Sequence, residues 1–398
     1  MTSLFTPRSL LCALGLLGFW GTHGRTSADG STALITQLLD SPTPYLPGTQ
    51  SVLRGTYTGI KPVDHILNIL ILFWFEAVDG SHPTASAISL YFLGQLLPCI
   101  IFAYLNGLRG NKPSLLKPTL WLLLFQVGAI GPTGFIWALA YTMSPTVQLN
   151  LPFDLLQQSS LVSSPATIWL LLPASIVGYL LPAVFMCLPS SSSTAQPPLV
   201  SNTFQQFAII IWNIYPVLIL ASLYLIRPAL SSSTTTASIN AKKTTHIKAI
   251  RITTLLTLLL SSAFHISIIG LSLSTVLFPS LFQPHSINQL SPSAIFLPPL
   301  SPGPQALTPG DGVRGFLLWD QVVGYATVMV VVLLELRSAL VSVQAWGWGQ
   351  GWKVGGVAVG VSLVLGPGSA CLVGSWLRDE ILFGGWEVQT KGEKKEKL

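Results

Sequence analysis

Eight apolar runs, each about as long as a membrane-spanning helix, dominate this sequence between residues 63 and 377. A bilayer core about 30 Å thick needs roughly 20 apolar residues in a helix. Only helices and closed barrels satisfy their backbone in lipid, and such continuous runs favour helices. We therefore predict an all-α fold, a polytopic transmembrane helical bundle of about eight spans. The predicted spans are 63–79, 84–106, 118–143, 166–188, 204–226, 252–279, 316–343 and 352–377.

The composition excludes several other classes of protein. Hydrophobic residues make up 50% of the chain and charged residues only 9%, whereas a soluble protein has about 25% charged residues. A soluble enzyme, a nucleic-acid-binding domain and a disordered chain are therefore excluded. The net charge of +6 is scattered over short loops and the C-terminus, so no nucleic-acid partner is expected. The four cysteines have no paired spacing and indicate neither a disulfide framework nor a zinc site.

The ends of the chain differ in composition from its middle. Arg8 precedes a short apolar run from Ser9 to Gly21, which is typical of a signal peptide, with an uncleaved anchor as the alternative. The predicted organisation is a signal peptide or anchor at 1–25, a polar stretch at 26–62, the transmembrane domain at 63–377 and a charged tail at 378–398. Basic clusters fall on both sides of the predicted bundle, so its orientation stays open.

Five acidic residues lie in two of the predicted spans. Asp64, Glu76 and Asp79 are in the first span, and Asp320 and Glu335 are in the seventh. Ionisable residues inside a membrane are expensive and are functional candidates by default. Spans of equal parity run in parallel, which predicts Asp64 and Asp320 near one leaflet and the other three near the opposite leaflet. An interfacial structural role is the alternative, since all five lie near span ends.

The chemistry that remains consists of carboxylates and aromatic rings. The sequence has no HExxH, Walker A, Gly-x-Ser-x-Gly or aspartate-rich DDxxD motif, and we expect no metal site. A buried carboxyl group can act as an acid, and ring faces stabilise a carbocation. This inventory favours protonation of a lipophilic alkene or epoxide, although rings also form interfacial belts in any membrane protein. The candidate acids are Asp79, Asp320, Asp64 and Glu76, with Asp79 favoured as the initiator because Trp74 lies close to it.

Several short blocks resemble fungal membrane-bound terpene cyclases of meroterpenoid biosynthesis, of the ascofuranone and macrophorin type. The blocks are Gly55-Thr56-Tyr57-Thr58-Gly59-Ile60, Asp64, Phe73-Trp74-Phe75, Val78-Asp79-Gly80, Arg109-Gly110-Asn111 and Trp319-Asp320. Glu76 departs from this pattern, which leaves its role open. The shorter cyclases of the pyripyropene type differ in span number, so their site residues are not transferable by position.

The resemblance implies cyclisation of a prenylated aromatic or polyketide intermediate, commonly begun at a terminal epoxide of a farnesyl chain. It implies no metal and no redox cofactor. Trp74, Trp319, Tyr325 and Arg109 are the expected substrate-binding residues. A pathway prenyltransferase and an epoxidase are the expected partners, in the endoplasmic reticulum membrane. A transporter that uses the same acids as proton relays, or an accessory scaffold of the pathway, are the competing functions.

Overall fold

The computed structural model describes residues 6–147, 151–190, 198–226, 239–300 and 305–385, and its regular elements are helices. They are α1 (Pro7–Phe19), α2 (Arg25–Ala28), α3 (Ser31–Leu39), α4 (Lys61–Val78), α5 (Pro83–Leu108), α6 (Leu116–Gly128), α7 (Ile130–Tyr141), α8 (Phe153–Ser160), α9 (Pro165–Ser175), α10 (Leu181–Met186), α11 (Asn202–Asn213), α12 (Tyr215–Ile226), α13 (Ile239–Leu277), α14 (Pro284–Leu290), α15 (Pro292–Phe296), α16 (Pro309–Ser342), α17 (Gln350–Leu365) and α18 (Pro367–Phe383). One π-helical turn, Trp20–Gly24, joins α1 to α2, and another, Ile176–Leu180, joins α9 to α10. The all-α prediction is confirmed.

Four helical segments of the described chain are long and apolar enough to cross a membrane: Pro83–Leu108, Pro165–Met186, Ala241–Leu277 and Pro309–Ser342. The pair formed by α11 and α12, bent by 70°, makes a fifth if it is counted as one span. The structure therefore supports a multi-pass helical protein. By this measure it has four or five spans, which is fewer than the eight predicted.

The difference arises where an apolar run does not form one straight helix. The predicted span 118–143 is two helices that break at Ala129, whose φ of 64° lies outside the helical region. The predicted span 352–377 breaks at Gly366, with φ of 96°, and Pro367 begins the next helix. Helix α4 carries Lys61, Asp64 and Glu76 and is not among the candidate spans. Hydropathy averages over such breaks, so it overestimates the number of continuous spans.

The N-terminal segment is part of the bundle. Helix α1 packs on α7 and α16, and its glycines allow this close approach. A Cβ atom at Gly15, Gly18 or Gly21 would lie 2.3, 2.4 or 2.5 Å from atoms of Phe135, Gly131 and Trp319, respectively. The two sequence interpretations of this segment, a signal peptide or an anchor, both stay predictions.

Helices α4 and α16 run antiparallel. The end of α4 meets the start of α16, where the backbone N–H of Gly310 donates to Glu76 Oε2 at 2.6 Å. Three residues earlier on α4, Phe73 contacts Phe316, six residues further along α16, with ring centroids 5.1 Å apart. The prediction of parallel helices was therefore wrong, because it counted parity over spans that are broken. Glu335 lies about 37 Å along α16 from Gly310, at the opposite end from Glu76.

The C-terminal helix extends further than the sequence indicated. Helix α18 continues to Phe383, and Arg378 and Asp379 on it are fully buried. Residue 378 therefore belongs to the bundle and does not begin the charged tail. Residues 386–398 lie outside the described part of the chain.

Candidate active site

An apolar cavity of about 300 Å³ lies between α3, α4, the junction of α6 and α7, α11 and α16. Its volume is at the lower end of the range for small-molecule sites, which is about 300–1,000 Å³. Six aromatic side chains form much of its wall: Phe73, Trp74, Phe92, Phe125, Trp212 and Phe316. The cavity is thus a ring-lined space within the helical bundle that opens to the surface at one edge, where the exposed His65 lies.

The rings meet edge to face. Trp74 packs on Trp212 with centroids 4.8 Å apart and an interplanar angle of 69°, and Phe73 contacts Trp74 at 5.4 Å. Edge-to-face packing leaves some ring faces free to border the cavity, and a ring face attracts positive charge. The structure places Trp74 in the wall, and its expected contact with substrate stays a prediction. Phe73 was named from the sequence only within a block of the family resemblance, and neither Phe73 nor Phe316 was expected to line a site, because no local pattern separates them from ordinary core residues.

Asp320 is the acidic residue that lines this cavity among the described residues. It lies on α16, about three turns from the helix start, and its side chain is buried. The backbone N–H of Gly131 donates to Asp320 Oδ1 at 2.6 Å. This contact fixes one carboxyl oxygen and orients the group at the cavity wall.

The break between α6 and α7 supplies that contact. The first backbone N–H groups of a helix have no partner within the helix, and Gly131 is the second residue of α7. Ala129 adopts φ of 64° and ψ of 152°, a region that costs a non-glycine residue about 1–3 kcal/mol. Backbone strain of this kind clusters at functional sites. The strained turn faces the cavity and holds Asp320.

His23 is a second titratable residue of the cavity lining, and sequence reasoning missed it. It lies on the π-helical turn after α1, half-buried, with Nε2 3.5 Å from the carbonyl oxygen of Gly128. Its ring packs on Phe19 at 5.8 Å and edge to face on Phe316 at 5.4 Å. The sequence offered no signal for His23, since it follows an apolar run that is typical of a leader. His65 on α4 also borders the cavity, with its side chain exposed.

Asp64 lies in the first turn of α4 and holds a loop. Its Oδ1 accepts hydrogen bonds from the N–H groups of Tyr57 and Thr58 and from the Thr58 hydroxyl, and its Oδ2 accepts from the N–H of Gly59. These bonds, the Thr58 N–H foremost, hold the pKa of the Asp64 carboxyl below its usual range. The arrangement is a loop anchor outside the cavity.

Asp79 and Glu76 occupy the other end of α4. Asp79 ends the helix, and its Oδ1 accepts from the Ser81 N–H at 2.9 Å and from the Ser81 hydroxyl at 2.6 Å. Glu76, bonded to Gly310, borders an open groove beneath α3 that also includes residues 307–309. The structure thus brings Glu76 and Asp79 together at one end of the bundle and places neither in the lining of the ring-lined cavity.

Trp319 and Tyr325 also lie outside the cavity wall. The Trp319 Nε1–H donates to the carbonyl oxygen of Pro299 at 3.0 Å, and the ring packs on Trp20 at 5.4 Å. The Tyr325 hydroxyl donates to the carbonyl oxygen of Phe92 at 3.3 Å, and its side chain borders a separate cavity. Both were expected to bind substrate, and the structure gives them packing contacts.

Arg109 belongs to a second group of buried charges. Its Nη2 donates to Asp379 Oδ2 at 2.6 Å, and the hydroxyl of Tyr141 donates to Glu335 Oε1 at 2.6 Å. We call Arg109, Tyr141, Glu335, Arg378 and Asp379 the buried ion cluster. Full burial of Glu335 differs from the interfacial position that its place near a span end had suggested. Arg109 was expected to bind substrate, but it does not line the ring-lined cavity.

Within the described ranges no three His, Cys, Asp or Glu side chains come close enough to hold a metal ion. The ring-lined cavity contributes one carboxylate and two histidines on separate elements. The chemistry available at this site is therefore that of an acid, imidazoles and ring faces.

Comparisons with known proteins identify the family of this chain. The CtvD domain family matches residues 7–383. Terpene cyclase ascI of Acremonium egyptiacum is 23% identical over 402 residues, which cover 98% of this chain and 94% of the relative.

Two further relatives match about half of the chain. Terpene cyclase ctvD of Aspergillus terreus is 30% identical over 211 residues, or 52% of this chain and 56% of the relative. Terpene cyclase janA of Penicillium janthinellum is 25% identical over 234 residues, or 57% and 61%. No solved structure matches the chain. Because the family match runs from α1 to the end of α18, the chain belongs to the CtvD-domain family, and its resemblance to fungal membrane-bound terpene cyclases is confirmed.

Proposed function

We propose that this protein is a terpene cyclase of fungal meroterpenoid biosynthesis, in which Asp320 protonates the substrate inside the ring-lined cavity. The observation that carries the proposal is the position of Asp320, a buried carboxyl group at the wall of a cavity with six aromatic side chains. The names of the relatives support the class of reaction. The substrate class, a farnesylated aromatic or polyketide bearing a terminal epoxide, follows from the resemblance.

The proposed reaction begins when Asp320 gives its proton to the epoxide oxygen. The carbon–oxygen bond breaks as the neighbouring double bond attacks, and the positive charge moves along the prenyl chain. The backbone N–H of Gly131 donates to Oδ1 and orients the carboxyl group for this transfer. Proton loss from carbon ends the reaction, and the product is an isomer of the substrate.

The aromatic wall has two tasks in this mechanism. Ring faces such as those of Trp74, Trp212 and Phe316 stabilise the passing cation. They also exclude water, which would capture the cation before the rings close. No step requires a metal or a redox partner, and the prenyltransferase and the epoxidase that would supply the substrate stay predictions, as does the endoplasmic reticulum location.

The test uses the full chain purified in detergent with an epoxyfarnesyl phenol as the probe. We expect a cyclic product of unchanged mass, formed equally well in excess EDTA. Loss of activity in EDTA that Mg²⁺ restores would overturn the proton-initiated mechanism. A different result would overturn the cyclase proposal: the folded protein converts none of the probe, but vesicles that contain the protein take the probe up. The protein would then be a transporter.

A further inference from the structure

We propose that His23 is the base that removes the final proton and so sets the position of the product double bond. This inference rests on the proposed cyclase function and assigns the step that Asp320 does not perform. A cation generated in a closed cavity must lose a proton to a nearby base, or else water captures it. The titratable side chains among the described residues that line the cavity are Asp320, His23 and His65.

The position of His23 separates it from His65. His23 is half-buried and packs edge to face on Phe316, which itself lines the cavity. The side chain of His65 is exposed, so it lies at the edge of the cavity, where bulk water competes with it. Of the two imidazoles, His23 is the one among the ring faces where the cation forms.

The neighbour of His23 indicates which ring nitrogen is basic. A carbonyl oxygen can only accept a hydrogen bond, so the contact with Gly128 assigns the imidazole proton to Nε2. In that tautomer the lone pair of the neutral ring is on Nδ1. The α6–α7 break thereby positions both groups, since Gly128 faces His23 and Gly131 faces Asp320.

Phe316 of α16 connects the proposed base with the proposed acid. His23 packs on Phe316, and Asp320 follows Phe316 by one helical turn. A prenyl chain folded for ring closure brings distant carbons into a compact stack, so a base one turn from the acid reaches the last cationic centre. The α1–α2 segment therefore contributes a reacting group to the cavity as well as part of its wall.

The proposed step balances. The C–H bond next to the final cationic carbon breaks, its electron pair forms the C=C bond, and the proton goes to Nδ1 of His23. The resulting imidazolium and the carboxylate that Asp320 became on initiation line the same cavity, where opposite charges attract each other. Transfer of the proton back to Asp320 after product release restores both groups.

The experiment compares products from wild type, His23→Gln and the matched control His285→Gln, at an exposed histidine of α14 outside the cavity lining, with the same epoxyfarnesyl phenol. We expect folded His23→Gln to consume substrate while the wild-type alkene falls at least tenfold relative to isomeric alkenes and a water-captured alcohol. His285→Gln should keep the wild-type product ratio. An unchanged ratio in His23→Gln overturns the inference, and so does complete loss of conversion in a folded variant, which would place His23 in initiation.

A second measurement covers a variant that does not accumulate. Diethyl pyrocarbonate modifies histidines, and peptide mass spectrometry reports whether His23 is modified in the His65→Gln protein. The same shift in product ratio is expected as His23 is modified, and an unchanged ratio at full modification contradicts the inference. A wild-type protein that forms no cyclic product would refute the proposed function instead, so the two failures are distinguishable.

Discussion

Helix α16 carries two buried acids, Asp320 and Glu335, in surroundings that differ in kind. Asp320 faces a ring-lined cavity and is held by a strained backbone turn. Glu335 is held by the hydroxyl of Tyr141 in the buried ion cluster, where side chains fill the space around it. Two buried acidic residues on one helix thus border an open cavity in one place and lie in close packing in the other.

This difference shows that burial alone does not identify a catalytic acid. The ion cluster has at least as many charges as the cavity, and Arg109 and Asp379 pair at 2.6 Å within it. What distinguishes Asp320 is open space beside it and a backbone donor that fixes one of its oxygens. The predictions below test whether activity and stability separate along α16 in this way.

The largest effect is expected from Asp320→Asn. The amide keeps the shape of the side chain but removes the acid, and loss of a general acid typically lowers the rate by about 10²–10⁴. The apparent Tm in detergent should stay close to that of wild type. The control is Asp79→Asn, which alters a helix end outside the cavity and should keep most activity. If both variants lose the same amount of activity, Asp79 or the two acids together would protonate the substrate.

Asp379→Asn tests the other end of α16. It leaves Arg109 buried without its ionic partner, and breaking a buried pair costs about 3–5 kcal/mol. We expect a large fall in apparent Tm, with kcat per folded molecule close to wild type. Glu380→Gln is the matched control on the same helix, because its ion pair with Arg251 is exposed and such pairs contribute about 0–1 kcal/mol. A rate loss without a Tm loss in Asp379→Asn would make the ion cluster part of the reaction site.

Asp64→Asn should have the smallest effect, and that effect should depend on pH. The loop bonds lower the pKa of Asp64 in the folded protein, so their stabilisation is present above the unfolded pKa of about 3.9 and is lost as the pH falls through the folded pKa. The variant should therefore melt below wild type at pH 6, and the gap should narrow below about pH 4. Asp40→Asn, at an exposed acid, should show no such gap. If the difference in Tm between Asp64→Asn and wild type persists at low pH, the variant is destabilised by the changed shape of the side chain and not by the loss of its charge.

The helical class and the reaction family were predictable from the sequence, because both depend on composition and short blocks. Hydropathy also placed the core of α5 and α16 within a few residues. It missed the break at Ala129, since an alanine with positive φ has no local signature. This break, the break at Gly366 and the bend between α11 and α12 changed the helix count and the helix directions, and with them the expected layers of acids.

The candidate site was predictable only in part. Asp320 and Trp74 were identified because acids and rings in apolar runs stand out, and the structure places both at the cavity. Asp64 and Asp79 stand out equally, but what they contact is set by loops whose geometry the sequence does not reveal. His23 carries no signal of its own, since its position depends on Gly128, which is distant in the chain.

The packing of α1 has a consequence for how the protein is made. Gly21 lies against Trp319, and the cavity lining brings His23 together with Phe316 and Asp320 of α16. One part of the cavity wall is therefore synthesised first and the part that it meets is synthesised late. At about 5–20 residues per second, the ribosome needs roughly 15–60 s to make the intervening chain. Throughout that interval the first helix has no partner on α16, and a nascent chain stopped before residue 309 has no closed cavity. The cavity is therefore complete only near the end of biosynthesis, when the last helices to be made pack on the first one.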